Sequence, residues 1–64
     1  MMNFELFKTI RKQGLRQKDL AKKVGRSESE VSQVVNGKLI LDNSIKAKYA
    51  KALNCTIPDI FPEQ

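Results

Sequence analysis

Apolar residues along this chain come in short bursts at helical spacing, divided by glycines and small polar residues. Phe4, Phe7 and Ile10, with Leu6 beside them, mark one face of a first helix over residues 3–13. Asn3 suits its start, and Gly14 supplies the left-handed residue that ends it. In residues 17–24, QKDLAKKV, the stripe Leu20, Ala21 and Val24 predicts a second helix with lysines on its outer side, closed by Gly25.

Ser27 and Glu30 form an S-x-x-E pattern that opens a third helix. The Ser27 side chain is expected to accept from the Glu30 backbone N–H, and the Glu30 carboxylate to reach back to the N–H of Ser27. Val31, Val34 and Val35 make that helix's apolar face, and Gly37 stops it. After a short loop, Lys38–Leu41, the residues Asp42, Asn43 and Ser44 are alternative caps for a fourth helix running to about Leu53. Ile45, Tyr49, Ala50 and Leu53 are expected to face inward. Thr56 and Asp59 repeat a capping pattern ahead of a very short fifth helix ending near Phe61, with Pro58 tolerated in its first turn. Nothing reads as strand. The expectation is an all-α, compact five-helix unit spanning residues 1–64 as one domain, with short connections throughout.

Helices two and three are too close in sequence to lie antiparallel, so they must turn sharply through Gly25, where the chain needs a positive φ. Two helices crossing steeply through a glycine turn describe a helix-turn-helix. Ala21 is small where the third helix approaches, and Val31 and Val34 are expected to fill the space against Leu20, Ala21 and Val24.

Composition adds a partner and removes several chemistries. The net charge is +5, and eight basic residues lie between Lys8 and Arg26 (Lys8, Arg11, Lys12, Arg16, Lys18, Lys22, Lys23, Arg26) against the single acid Asp19. Such a block favours a polyanion, either nucleic acid or an anionic membrane surface, or is a solvated helix face. The chain has no histidine and one cysteine, Cys55, which excludes an internal disulfide and a thiolate metal cluster. Cys55 reads as a small buried residue. The longest apolar run, Leu39-Ile40-Leu41, is far short of a membrane span. These features predict a soluble cytoplasmic protein with no enzymatic activity, no cofactor, no metal and no small-molecule ligand.

The stretch LRQKDLAKKVGRSESEVSQVVNGK resembles the helix-turn-helix of the lambda-repressor-like, Cro/C1 (Xre) family of bacterial and phage regulators. The likeness rests on Gln17, Leu20-Ala21, Val24-Gly25, Ser27, Val31-Ser32 and Asn36-Gly37. It continues through KYAKALNCTIPDIF, which is similar to the family's fourth and fifth helices. The resemblance implies that the third helix enters the major groove of double-stranded DNA. Glu28, Ser29, Ser32 and Gln33 would then read base edges, Gln33 being able to bridge N6 and N7 of an adenine. Two readings of Glu28 stand: an acceptor for a cytosine amine, or a first-turn carboxylate that favours the helix dipole. Arg16, Gln17, Lys18, Asn36, Lys38 and Asn43 would hold phosphates.

Three positions depart from the family pattern. Arg16 stands where Ser or Thr usually caps helix two; it cannot accept a hydrogen bond, and a phosphate contact is expected in exchange. Ile10 and Val35 replace an Arg–Glu pair common in relatives, so the two are expected to meet in the core. Arg26, where an apolar residue is common, is expected to point outward toward phosphate.

The resulting expectation is a sequence-specific transcriptional regulator, a repressor of phage or bacterial type that occupies a palindromic operator as a homodimer. Its half-sites would be about 34 Å apart. With residues 1–64 read as one domain, a dimer is expected to use this domain's own surface. Leu39, Ile40 and Leu41 and the segment Ile57–Phe61 are the candidates, with at least one of the three loop residues packing into the core. Two other readings stand beside it: the antitoxin of a toxin–antitoxin pair, and a basic module on an anionic membrane.

Overall fold

A computed structural model describes residues 2–62, in which five helices and no strand occur. They are α1 (Phe4–Lys12), α2 (Gln17–Val24), α3 (Glu28–Val35), α4 (Asn43–Ala52) and α5 (Ile57–Ile60). Met1, Glu63 and Gln64 belong to the single unit expected above and lie outside the described residues.

Local chemistry sets each boundary. The side chain of Asn3 accepts from the Leu6 N–H at 3.0 Å, that of Ser27 from the Glu30 N–H at 3.1 Å, and that of Asp42 from the Ile45 N–H at 3.0 Å. Each supplies an acceptor to a first-turn amide that the helix itself leaves unpaired. Of the three candidate caps for α4, Asp42 is therefore the one used. Its carboxylate also accepts from the Ser44 hydroxyl at 2.9 Å, and these bonds, the Ile45 amide first, hold its pKa below the ordinary value.

Gly25 adopts φ 71° at the end of α2. The Gly25 N–H bonds the Lys22 carbonyl and the Arg26 N–H bonds the Ala21 carbonyl, at 3.3 and 2.9 Å. This paired termination is the Schellman motif, in which a left-handed residue lets the last carbonyls find donors. The same two-bond pattern ends α1 at Gly14, α3 at Gly37 and α4 at Asn54. Asn54, at φ 55°, is the non-glycine case; asparagine tolerates the left-handed region better than other side chains.

Around these turns the helices share one core. Leu6 and Ile10 from α1, Leu20, Ala21 and Val24 from α2, and Val31, Val34 and Val35 from α3 are buried together with Leu41, Tyr49, Ala50, Leu53, Ile60 and Phe61. Ile10 and Val35 thus sit in the same core. The Tyr49 ring meets that of Phe61 edge-on, with centroids 6.1 Å apart. Asn3 links three elements: its N–H bonds the Val35 carbonyl and its Nδ2 the Ile60 carbonyl, both at 2.8 Å. Gln13 joins the end of α1 to the end of α4 through Nε2 and the Leu53 carbonyl at 2.6 Å.

Two positions expected to face inward differ, and the loop trio divides as expected, with at least one of its residues in the core. Phe4 is 62% exposed. At 100° per residue it lies about 200° around the helix from Leu6, which with Ile10 holds the core. In α4, Ile45 is half-buried whereas Lys46 is buried, its Nζ 5.6 Å from the centroid of the Phe61 ring. The lysine's methylene stem serves as apolar surface there. Finally, Leu41 is a core residue and Leu39 packs against the core, so of that trio only Ile40, 77% exposed, presents its side chain freely. Leu41 is thereby corrected as a dimer-contact candidate: a loop this short draws one apolar side chain inward to close the core between α3 and α4.

Among the described residues, apart from Gly25 itself and its two chain neighbours, no heavy atom lies within 4 Å of where a Cβ would stand at Gly25, so Gly25→Ala meets backbone strain alone. Urea denaturation is expected to show a loss of about 1–2 kcal/mol, with Gly25→Asn losing less.

Candidate nucleic-acid interface

The site is built from the roll of α3. Val31, Val34 and Val35 are at most 3% exposed, which turns the opposite side outward. Glu28, Ser29, Gln33 and Asn36 are exposed and Ser32 is half-buried. Eight residues at 1.5 Å each make α3 about 12 Å long, close to the width of a major groove. The Asn36 amide donates to the Ser32 hydroxyl at 3.4 Å, one turn away, which brings a candidate base reader and a candidate phosphate holder together.

Arg16 and Lys18 are exposed beside the start of α2, and Gln17, the first residue of that helix, is half-buried. Asp19 accepts from the Arg16 backbone N–H at 2.9 Å, so the start of α2 has half of a capping box. The Arg16 guanidinium has no acceptor and plays no part in the cap. Beyond α3, Lys38 is exposed, and its N–H is fixed on the Gln33 carbonyl at 2.8 Å. Asn43 is exposed as the first residue of α4. The candidate phosphate residues therefore lie at the start of α2 and around the exit from α3, before and after the recognition segment in sequence.

Two expectations about the entry to α3 need correction. The Glu30 carboxylate does not bond the Ser27 N–H; it takes both Nε and Nη2 of Arg26, at 2.6 and 3.0 Å. Arg26 is exposed, as expected, yet its guanidinium is committed to Glu30 rather than free for phosphate. A forked guanidinium matches two carboxylate oxygens, whereas a single backbone N–H offers one donor, so the bidentate pair wins. The bond with Arg26 holds Glu30 below the ordinary carboxylate range and raises Arg26. The i,i+4 spacing of Arg26 and Glu30 was the available sequence signal.

Tyr49 is a polar group that apolar spacing alone places in the core. Its ring is fully buried, and among the described residues its hydroxyl has no hydrogen-bond partner. Burial, with the nearby Glu30 charge, pushes the phenol up to about 12. Cys55 is half-buried, and burial raises its thiol, which keeps it unreactive.

Two helices joined through the left-handed Gly25, the second of them polar on its outward side and with basic residues at its flank, define a helix-turn-helix DNA-binding domain. The chain matches the family model described as helix-turn-helix over residues 7–60, and it belongs to the Cro/C1-type helix-turn-helix family. It is thus a DNA-binding transcriptional regulator of that type, in a family that is regulatory rather than typically enzymatic. A comparison with curated proteins found no match. Among the described residues no helix is long and apolar enough to cross a membrane.

The orphaned hydroxyl yields a paired prediction. Tyr49→Phe removes an unsatisfied buried group and is expected to raise stability by about 1 kcal/mol in denaturant titration. An unfolded tyrosine releases its proton near 10.0 and the folded one near 12, so unfolding frees a proton between those values and stability falls as pH rises through them. Stability measured across that window is expected to fall less in Tyr49→Phe than in the unmodified chain.

Proposed function

We propose that the protein is a repressor that occupies a palindromic operator as a homodimer, with α3 of each subunit in the major groove. The carrying observation is the two-sided character of α3: its valines are buried, while Glu28, Ser29 and Gln33 are exposed and Ser32 is half-buried on the other side. Glu28, Ser29, Ser32 and Gln33 then discriminate bases, while Arg16, Gln17, Lys18, Asn36, Lys38 and Asn43 hold phosphates on both sides. Occupying the operator blocks polymerase without any chemical step.

Ile40 is the apolar side chain best placed for a subunit contact, with the half-buried Leu39 beside it. The contact is small, which fits a dimer that assembles on DNA, where two adjacent half-sites supply a high effective concentration.

Selection of preferred duplexes from a random pool tests this reading, and enrichment of two inverted half-sites is the expected result. A pool with no enriched sequence would sink it. Against the selected duplex, Gln33→Ala is expected to relax preference at one base pair, costing about 1–3 kcal/mol of discrimination. Lys38→Ala is expected to weaken binding to every sequence alike and to reduce the salt slope by about one. Arg16→Thr should combine a gain of about 1 kcal/mol in stability, from the restored cap, with a shallower salt slope. Ile40→Lys is expected to abolish cooperative occupancy of two half-sites while leaving single half-site affinity within about twofold.

A further inference from the structure

Where the end of α1 meets the start of α2, the surface holds a half-open cavity of about 280 Å³ lined by Phe7, Ile10, Arg11, Leu15, Arg16 and Gln17. We propose that this notch binds a small amphipathic carboxylate, a compact aryl or short alkyl acid, and that its occupation lowers affinity for DNA.

The lining is chemically divided. Phe7, Ile10 and Leu15 give an apolar floor, with Ile10 only 2% exposed. The wall is fixed by the Leu15 N–H on the Ile10 carbonyl at 3.1 Å. Arg11 and Arg16 are exposed at the rim and, among the described residues, neither pairs with a carboxylate; the two ion pairs are Lys8–Glu5 and Arg26–Glu30. The Arg11 guanidinium lies 5.6 Å from the Phe7 ring centroid, a cation–π contact between two residues of the lining. Arg16 carries no capping duty, and its charge adds to the positive end of the α2 dipole.

Two uncompensated guanidiniums select an anion, and their forked donors match a carboxylate. A DNA phosphate alone would leave the apolar floor wet. The volume lies near the lower end of small-molecule sites, about 300 Å³, which favours a ligand of one ring or a short chain. For such a ligand a Kd on the order of 1 mM is expected.

The effect on DNA rests on the reading under Proposed function, because Arg16 and Gln17 line the notch and also stand as phosphate contacts. A carboxylate seated there neutralises Arg16 and occupies Gln17, so acid and backbone phosphate compete. Binding of the acid itself requires no DNA.

The test is an amide chemical-shift titration of the full chain with phenylbutyrate, acetate and phenylbutanol. Phenylbutyrate is expected to shift the amides of residues 7, 10, 11 and 15–17 and to saturate, whereas acetate and phenylbutanol bind at least about tenfold more weakly, each lacking one half of the match. Arg11→Gln and Arg16→Gln, each checked for a native amide spectrum, are both expected to weaken phenylbutyrate about tenfold. Equal shifts from phenylbutanol, saturating shifts elsewhere, or indifference of both variants would overturn the site. In a second arm, phenylbutyrate is added to the complex with the selected duplex. It is expected to weaken DNA binding by the unmodified chain and to have little effect with Arg11→Gln, a residue outside the phosphate contacts. Unchanged DNA affinity at saturating phenylbutyrate overturns the regulatory coupling. Failure to select any duplex overturns the operator reading and the coupling with it, while the amide shifts judge the site separately.

Discussion

The rest of the structure depends on how α3 is held: by a left-handed turn at one end and by three valines along its inner side. Eight residues rich in valine and serine make a poor helix in isolation, since nucleation is costly and β-branched side chains lose rotamer freedom. Burial reverses this. Each valine taken out of water contributes on the order of 1.5–3 kcal/mol, and Val31, Val34 and Val35 are all but inaccessible. Packing against Leu20, Ala21 and Val24 therefore both forms α3 and fixes its rotation about its own axis. Recognition needs that rotation, because a change of one residue in roll would swing Ser32 and Gln33 away from a groove.

A chain of this size buries only about 60% of the surface it exposes when unfolded, so short polar connections carry much of the organisation. Asn3 is the densest of them, capping α1 while bonding the last carbonyl of α3 and that of Ile60. Gln13 does similar work between α1 and α4. The Arg26–Glu30 pair lies across the first turn of α3; Arg26 is exposed and Glu30 half-buried, so its value is geometric, fixing the entry to the helix. Among the described residues, these bonds leave the serine and glutamine side of α3 without side-chain hydrogen bonds apart from the Asn36–Ser32 contact.

Charge is arranged with a similar economy. Arg16 occupies a helix start where an acceptor would be more stabilising, and Asp19 supplies only the reciprocal half of the cap. The lost stability leaves a guanidinium free at the front of α2. Arg11, held over Phe7, gives a second one nearby, and between them lies the notch with an apolar floor. The same local concession thus serves the phosphate backbone and, in the proposal above, a competing acid.

Much of this was legible along the chain. Gly14, Gly25 and Gly37 punctuate the helices, Asn3 and Ser27 begin the first and third, the run Asp42–Ser44 marks the start of the fourth without choosing among its three caps, and the valines at i, i+3 and i+4 announce the inner face of α3. These are local signals whose physics acts within a few residues, and for the same reason the helix-turn-helix could be placed. What escaped depended on neighbours distant in sequence. Phe4 fits an apolar stripe but faces solvent because Leu6 and Ile10 set the rotation of α1 against α5 and α3. Lys46 is buried because Phe61 offers its stem a surface and its charge a ring. Leu41 turns inward and Ile40 outward because the loop between α3 and α4 must close the core with one side chain. The sequence by itself determined where helices start and stop and which side of α3 is apolar; only the tertiary structure decided which charges are spoken for, which hydroxyl is stranded and where a cavity opens, because each of those depends on side chains brought together by packing.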